Sequence, residues 1–390
     1  MDLPSVFVFA VLAGLVALSE WLVRRTALKH IGSALLVIVL TAIVANVGII
    51  PTTSTPEAPV PAYDIIFSIV APVSIFWLLL HVNLRAVMRA GLPILSVFGI
   101  GAVATVIGVF AGMFVINGAA AFGSDFGALG GMFAGTYTGG SVNFNAVALH
   151  YEVMQQGVLY GGAVVVDNIV TTIWIAVTLV VPRILAGVRR RVSGDIAEVR
   201  DAILGIEDDT EELHPLDVGV TLFIGFGALA LSEWLSRLAE PVATIPSILI
   251  ITTLALIVAQ LPVAARIRGA RSLGMFAVYL FLAVIGAYCD FGALGNIGTL
   301  GANLLAFASV VVVVHGVLTY GAAAVLRIDP TIASVASQAN VGGSTSALAL
   351  ARSLGRDDLV LPAVLIGSLG NAAGTYLGFW TAAMLPIWLA

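Results

Sequence analysis

Uninterrupted apolar runs of about 20 residues recur along nearly the whole chain, and this feature constrains the fold more than any other. Charged residues make up only 10% of the sequence and hydrophobic residues 60%, whereas a water-soluble domain carries roughly 25% charged residues. Such a chain cannot cover its surface for contact with water. We therefore predict an all-α polytopic membrane protein with the lipid bilayer as its main partner, and we exclude a soluble enzyme.

Charge and motif content exclude further classes of function. The formal net charge is −5 and no basic tract is long enough to follow a phosphate backbone, so we expect no nucleic-acid partner. The single cysteine, Cys289, cannot form a disulfide within the chain. The sequence contains no His-Glu-x-x-His zinc motif and no recognisable Ser/His/Asp arrangement for nucleophilic catalysis. We expect no enzyme, no metal site and no cofactor, with a bound sodium ion as the one candidate exception.

Ten apolar runs have about the length of a transmembrane helix. The first ends in Arg24 and Arg25, whereas a signal peptide carries its positive charge before the apolar part, so we expect a retained first span. The predicted spans are residues 4–23, 31–50, 64–80, 92–117, 157–185, 217–238, 244–265, 273–288, 300–326 and 358–388.

Two further segments, residues 126–152 and 331–353, are rich in Gly, Ser, Thr and Asn and are weak as continuous helices. Short cytoplasmic loops collect Lys and Arg. If each segment enters and leaves on the same face, all of the 17 Lys and Arg residues except Arg237 are cytoplasmic, whereas full crossing divides them almost evenly. We predict two broken, re-entrant segments in a prokaryotic plasma (inner) membrane, with both termini outside. A broken helix that crosses the membrane is the alternative.

The two halves of the chain resemble each other. Leu18-Ser-Glu-Trp-Leu22 recurs as Leu231-Ser-Glu-Trp-Leu235, and Gly139-Gly-Ser141 recurs as Gly342-Gly-Ser344. Each half would hold five spans and one broken segment. An odd number of spans inverts the second half relative to the first, which gives the inverted repeat of many secondary transporters.

The domain division follows from this repeat. We predict a first repeat over residues 1–185, a cytoplasmic linker over 186–216 and a second repeat over 217–390. Apolar residues of the linker lie at helical spacing and predict an amphipathic helix on the membrane surface; they are Ile196, Val199, Ile203 and Leu204.

The Gly-Gly-Ser tips of the broken segments are the predicted substrate site. Glycine permits a positive φ, and freed backbone N–H groups at a helix start suit an anion or a carbonyl oxygen. Packing by small residues is the alternative, but packing does not call for Asn and Gln. The predicted site consists of Thr136, Thr138, Gly139, Gly140, Ser141, Asn143 and Asn145 on the first segment, and of Gln338, Asn340, Gly342, Gly343, Ser344, Thr345 and Ser346 on the second.

Asp167 is the one carboxylate deep within the span 157–185. A carboxylate at membrane depth is costly and normally faces a cavity, an ion or a partner. We predict that it binds a coupling proton or sodium ion, with Asn168 and the residues Asn371 and Thr375 of the second half completing the ion-coupling set. A structural Asp satisfied by neighbouring groups is the alternative.

His315 lies within the apolar run 300–326 and is a weaker candidate. It is either a proton relay or a hydrogen-bonded histidine between helices.

Three stretches carry a resemblance to a known family. Gly135-Thr-Tyr-Thr-Gly-Gly-Ser-Val-Asn143, Ser337-Gln-Ala-Asn-Val-Gly-Gly-Ser-Thr345 and Gly367-Ser-Leu-Gly-Asn-Ala-Ala-Gly-Thr-Tyr376 resemble the YjcL-like family of integral membrane proteins, also called domain of unknown function 819. That family is grouped with the cation–proton antiporter and anion transporter superfamily. The resemblance therefore implies inverted repeats with a core and a scaffold domain.

The resemblance also bears on Asp167. In sodium–proton antiporters of that superfamily, an Asp-Asp or Asn-Asp pair on the helix after the broken element carries the ion. Asp167-Asn168 is similar in placement, but it reverses the order and has a single carboxylate.

The leading hypothesis is a secondary active transporter in which a core moves like an elevator against a scaffold. It would move a small polar or anionic organic solute coupled to protons or sodium. A cation/proton antiporter that uses Asp167 is the competing transport hypothesis. A non-transporting membrane receptor or scaffold protein is the alternative from another class. A homodimer through the scaffold is the candidate assembly.

Overall fold

The computed structural model describes residues 4–26, 33–52, 54, 58–82, 84–185, 214–240, 245–262, 264, 267–289 and 297–389. The secondary structure in these ranges is helical, as predicted. It consists of thirteen main helices, some of which are separated by short helical turns. They are α1 Ser5–Arg25, α2 Ser33–Asn46, α3 Pro61–Leu79, α4 Leu92–Val115, α5 Phe126–Gly139, α6 Ser141–His150, α7 Gly157–Leu185, α8 Pro215–Ala239, α9 Ser247–Ala259, α10 Ala270–Ala287, α11 Ile297–Val325, α12 Pro330–Ser353 and α13 Val360–Leu389.

Each of the ten predicted spans overlaps one of these helices. Among the described residues, eight helices are long and apolar enough to cross a membrane, which confirms a polytopic membrane protein. The other two, α2 and α9, have 14 and 13 residues. At 1.5 Å per residue each is about 20 Å long, shorter than the roughly 30 Å hydrocarbon layer.

The chain forms two compact units. The first comprises residues 1–80, 148–165 and 211–301, and the second comprises 81–147, 166–210 and 302–390. Helices α6, α7 and α11 each contribute residues to both units. Neither unit corresponds to one predicted repeat, because each takes segments from both halves of the chain.

Several helix ends of the first unit lie together. The Asn46 side chain at the end of α2 donates to the Cys289 carbonyl oxygen at 2.8 Å. The Cys289 thiol in turn donates to the carbonyl oxygen of Gly157, the first residue of α7, at 3.0 Å. Tyr63, in the first turn of α3, donates to the Pro51 carbonyl oxygen at 2.7 Å. The end of α10 and the start of α7 therefore lie at the same end of this unit as the end of α2.

Residues 126–150, of which 126–147 belong to the second unit, fold back on themselves at Gly140. A Cβ atom built on Gly135 would lie 3.2 Å from Asn143 Cβ, and one built on Gly131 would lie 3.2 Å from Val147 Cγ1. On one continuous helix these pairs would be about 12 and 24 Å apart. Helices α5 and α6 therefore pack side by side, and we call the pair hairpin 1.

Helix α12 folds back in the same way at Gly343, where φ is 76° and ψ is −171°. The Gln338 side-chain nitrogen donates to Ser346 Oγ at 3.1 Å, although the two residues are eight positions apart. We call the two arms of α12 hairpin 2. Both turning points fall within the polar segments that the sequence singled out.

Helix α13 runs antiparallel to α5 in close contact. A Cβ atom on Gly127 would lie 3.0 Å from the Ala382 carbonyl oxygen, and one on Gly131 would lie 2.5 Å from that of Gly378. Farther along, a Cβ atom on Gly139 would overlap the backbone of Gly370. Glycine is needed along α5 because the backbones themselves are in contact.

Some predictions fall outside the described residues. The linker residues 186–213, including the predicted amphipathic helix, belong to this group.

Arg356 joins the two ends of hairpin 2. Its guanidinium group contacts Asp329, which caps the start of α12 by accepting from the Thr331 N–H, and Asp358, each at 2.8 Å. Partial burial raises the pKa of Asp329, but the Thr331 bond and Arg356 outweigh it and hold that pKa below its usual value. Arg356 likewise lowers the pKa of Asp358.

We expect Arg356→Gln to lower the free energy of unfolding by about 1 kcal/mol at pH 7, because these pairs are partly exposed. Lowered pKa values mean that this stabilisation is present above the unfolded Asp value of about 3.9 and is lost as the pH falls through the folded values. Unfolding by SDS titration at pH 7 and pH 3 would measure it. If the unaltered protein and Arg356→Gln differ in free energy of unfolding as much at pH 3 as at pH 7, the ion pairs of Arg356 with Asp329 and Asp358 are not the cause of the difference.

Candidate functional site

The tips of the two hairpins touch each other. At Gly140, φ is 110° and ψ is 177°, and Gly343 has a similar conformation. Residues with a side chain rarely adopt this positive φ. A Cβ atom built on Gly343 would lie 3.8 Å from the Gly140 Cα atom and 3.5 Å from the Gly139 carbonyl oxygen. The two predicted tips are thus direct neighbours.

Two helix starts point at this contact. Helix α6 begins at Ser141, and the second arm of α12 begins at Ser344, directly after the two turning glycines. The first N–H groups of a helix lack a carbonyl partner within it and carry partial positive charge. Ser141 is exposed, and Ser344 and Thr345 are half-buried. Backbone and hydroxyl donors are therefore available at the tips.

Helix α13 lies against both tips. A Cβ atom on Gly367 would overlap Ser344, and Gly370 lies against Gly139. Half-buried Asn371 has its side-chain oxygen 3.7 Å from the Cβ position of Gly140. The predicted ion-coupling residue Asn371 therefore lies beside the predicted substrate residues.

Asn143 connects hairpin 1 to α13. Its side-chain oxygen accepts from the Thr375 hydroxyl at 2.8 Å, and its side-chain nitrogen donates to the Gly370 carbonyl oxygen at 3.3 Å. Both Asn143 and Thr375 are fully buried. These two predicted residues are bound to each other and hold hairpin 1 in place.

We expect Thr375→Val to destabilise the protein by about 1–3 kcal/mol, because it leaves the buried Asn143 oxygen without this partner. Thr381→Val is the matched control on the same helix. The buried Thr381 hydroxyl has no hydrogen-bond partner among the described residues, so its loss should be neutral or stabilising. Unfolding by SDS titration would compare the two variants, and equal effects would contradict the role of the Asn143 bond.

Gln338 holds hairpin 2 to α7. Its side-chain oxygen accepts from the Thr178 hydroxyl at 3.1 Å, and its nitrogen donates to Ser346. Asn340 is fully buried beside the Thr138 backbone. Gln338 therefore joins the two arms of hairpin 2 through Ser346 and joins the hairpin to α7 through Thr178.

The remaining predicted residues differ in exposure. Thr136, Thr138 and Asn145 are buried within hairpin 1, where the Thr138 hydroxyl donates to the Ala134 carbonyl oxygen. Gly342 is half-buried. Asn168 lies on the exposed face of α7. The structure therefore does not bring Asn168 into the contact between the tips.

Asp167 faces a residue that the sequence analysis missed. The Tyr137 hydroxyl group interacts with the Asp167 carboxyl group. Yet the buried atoms Tyr137 Oη and Asp167 Oδ1 have no partner with hydrogen-bond geometry among the described residues. Tyr137 lies three positions before the turning glycine Gly140, so its place in the motif was the available signal.

Two buried oxygen atoms without hydrogen-bond partners, on side chains that interact with each other, suit a shared cation or proton. Among the described residues, no basic side chain is found to act on Asp167. A bound proton or metal cation would satisfy both Asp167 Oδ1 and Tyr137 Oη, whereas an anion would be repelled. Within the part of the chain that is described, no cluster of three His, Cys, Asp or Glu side chains could hold a metal ion.

The first unit has a cavity of about 760 Å³ that contains none of the predicted site residues. Its lining includes Asp64, Phe67, His150, Glu152 and Tyr288.

Comparison with known proteins agrees with the membrane fold. The family model described as "Protein of unknown function (DUF819)" matches residues 8–387, nearly the whole chain. The chain belongs to the DUF819 family. It is also 27% identical over 375 residues to the "Uncharacterized membrane protein YjcL" of Bacillus subtilis (strain 168), and the match covers 91% of each chain. The predicted family is thus confirmed. The matched range includes the tips of both hairpins.

Proposed function

We propose that this DUF819 protein is a secondary active transporter that moves a small polar or anionic organic solute. The solute binds at the tips of hairpins 1 and 2. The observation that carries this proposal is the contact between Gly140 and Gly343, at which two helix starts converge. Non-helical backbone at membrane depth is tolerated where it is buried in protein or lines a water-filled cavity.

Opposite entry of the two hairpins is part of the proposal. The end of α2, the starts of α3 and α7 and the end of α10 are linked by the contacts of Asn46, Tyr63 and Cys289. In the proposed topology, α3 and α4 are two successive spans, so hairpin 1 would begin and end on the membrane face at which α3 starts. Because α13 is antiparallel to α5, hairpin 2 would enter from the other face. This arrangement supports an inverted repeat with five spans per half.

The second unit is the proposed moving core and the first the scaffold. Hairpin 2, α13, residues 126–147 of hairpin 1 and the part of α7 from residue 166 belong to one compact unit. A site contained in one unit can change sides when that unit moves, which favours an elevator-like mechanism. We propose the relationship to the cation–proton antiporter and anion transporter superfamily on the same grounds.

Asp167 and Tyr137 form the proposed coupling site. A carboxylate beside Tyr137, which lies three residues before the turn at Gly140, repels an anionic solute at the tips, and the repulsion is strong where water is scarce. A proton or sodium ion bound at Asp167 removes that repulsion. Ion binding and solute binding therefore favour each other, which is the thermodynamic basis of symport.

Two other functions remain candidates because particular observations favour them. Asp167 with its unpartnered oxygen also suits a cation/proton antiporter. The close packing of Gly139 on Gly370 favours a membrane receptor or scaffold protein without transport.

A thermal-shift screen of small organic acids, polyols and amino acids, with and without NaCl, distinguishes the three. Bound solute stabilises by mass action, by about 2.7 kcal/mol at a hundredfold excess over Kd. Symport predicts a solute effect that NaCl or acidic pH strengthens and that Asn371→Ala weakens, with Thr381→Val as the control. An ion effect without any solute effect would favour an antiporter. The absence of both effects would favour a receptor or scaffold protein.

Topology is testable with single cysteines in a Cys289→Ala background. A cysteine at Ala58 should react with an impermeant maleimide from outside intact cells, and one at Ser193 only after the membrane is opened. The reverse pattern would overturn the proposed orientation.

A further inference from the structure

His315 is fully buried on α11 and both of its ring nitrogens are engaged. Nδ1 lies 3.0 Å from the Gly101 carbonyl oxygen and 3.0 Å from Thr105 Oγ1, both on α4. Nε2 lies 2.9 Å from Ser337 Oγ on the first arm of hairpin 2. A polar side chain between helices is therefore held from both sides.

The directions of these bonds define the position of the ring hydrogen. The Gly101 carbonyl oxygen can only accept, so Nδ1 must carry a hydrogen. The Thr105 hydroxyl donates its own hydrogen to the Tyr137 carbonyl oxygen at 2.9 Å, so it too accepts from Nδ1. Nε2 is then free to accept the Ser337 hydrogen. All of these bonds are satisfied by a neutral imidazole with its hydrogen on Nδ1.

The two sides of the ring lead to the two helices of the coupling site. Through Thr105, His315 is linked to the backbone of Tyr137 on α5. Through Ser337, it is linked to α7, because the Trp174 indole N–H donates to Ser337 Oγ at 3.0 Å. Trp174 lies seven residues, about two turns, after Asp167 on that helix.

We propose that His315 is a positioning residue which aligns the Tyr137 hydroxyl with the Asp167 carboxyl group. As a neutral imidazole it fixes α5 and α7 relative to each other, and it does not itself carry the coupled ion. This inference rests on the proposed coupling role of Asp167.

The first test measures ion-dependent thermal stability of the full chain in detergent, titrated with NaCl against choline chloride and with pH. Thr105→Val and Ser337→Ala each break one link and should weaken the apparent ion affinity roughly threefold to tenfold, as expected for one lost hydrogen bond. Thr319→Val is the matched control. It removes a buried hydroxyl that lies one turn after His315 and has no partner among the described residues, and it should leave the ion affinity unchanged.

The second test determines which ring nitrogen of His315 carries the hydrogen, by NMR of protein labelled with ¹⁵N-histidine. The signals lost in His315→Asn should be those of a neutral ring protonated at Nδ1, unchanged between pH 6 and pH 8. An Nε2-protonated or charged ring would overturn the inference. So would unaltered ion affinity in both Thr105→Val and Ser337→Ala while Asp167→Asn abolishes the ion effect. If Asp167→Asn leaves the ion effect intact, the coupling site fails, and the positioning role that rests on it fails as well.

Discussion

Replacing Gly139 with alanine should destabilise the protein by about 3 kcal/mol or more, the upper end of the range for overpacking. The new Cβ atom would overlap the Gly370 backbone, and a backbone carbonyl cannot rotate away as a flexible side chain can. Hairpin 1 and α13 would have to separate, which also disturbs the Asn143 bond to Thr375. The effect should appear as a lower free energy of unfolding and as loss of any solute-induced thermal shift.

Gly99→Ala is the matched control for this experiment. Gly99 lies within α4, and a Cβ atom there would meet no atom within 4 Å. Alanine favours a helix by up to about 1 kcal/mol over glycine, so this variant should be neutral or more stable. Similar losses in Gly139→Ala and Gly99→Ala would contradict the backbone contact at the hairpin tip.

Asp167→Asn should abolish the stabilisation of the protein by NaCl or by protons. In buffer without sodium at alkaline pH, the variant should be more stable than the unaltered protein. A half-buried carboxylate that has no basic partner among the described residues is costly within the membrane, whereas the amide is neutral. The two stability curves should therefore cross as the ion is added. Differential scanning fluorimetry over a series of NaCl concentrations and pH values would measure this.

Two controls make the Asp167 result specific. Asp167→Glu retains the carboxylate and should retain part of the ion response. Glu20→Gln removes a carboxylate that is paired with Arg24 at 3.3 Å on the partly exposed side of α1, and it should leave the response intact. An ion response that survives in Asp167→Asn would exclude Asp167 as the coupling residue.

Much of the architecture could be predicted from the amino-acid sequence. Long apolar runs predict spanning helices because lipid cannot satisfy backbone polar groups, so each run must satisfy its own. The two Gly-Gly-Ser tips lie in polar segments of an otherwise apolar sequence, which predicts a break in the helix. The helices do turn back within these segments, at Gly140 and Gly343. Asp167 was recognisable as a candidate because a single carboxylate within a long apolar run is costly and needs a cavity, an ion or a polar partner.

Other features of the site could not be inferred in this way. Tyr137 and Ser337 lie within the tip motifs, but their partners Asp167 and His315 are distant in sequence. Asn168 and Asn371 were both predicted to belong to the ion-coupling set, yet Asn168 is exposed, whereas Asn371 lies beside Gly140. A sequence pattern can nominate both residues, but it does not show what each one contacts.

Sequence patterns alone predict the membrane environment, the helical class, the family and the two positions at which helices turn back. These properties depend on local sequence: the length of apolar runs, the polar tip motifs and the conformational freedom of glycine at the turns. The distance between the two tips, the backbone packing of α13 on α5 and the binding of His315 on both sides are known from the folded structure. Those contacts join residues far apart in sequence, and their strength depends on distances and hydrogen-bond directions that no single segment contains.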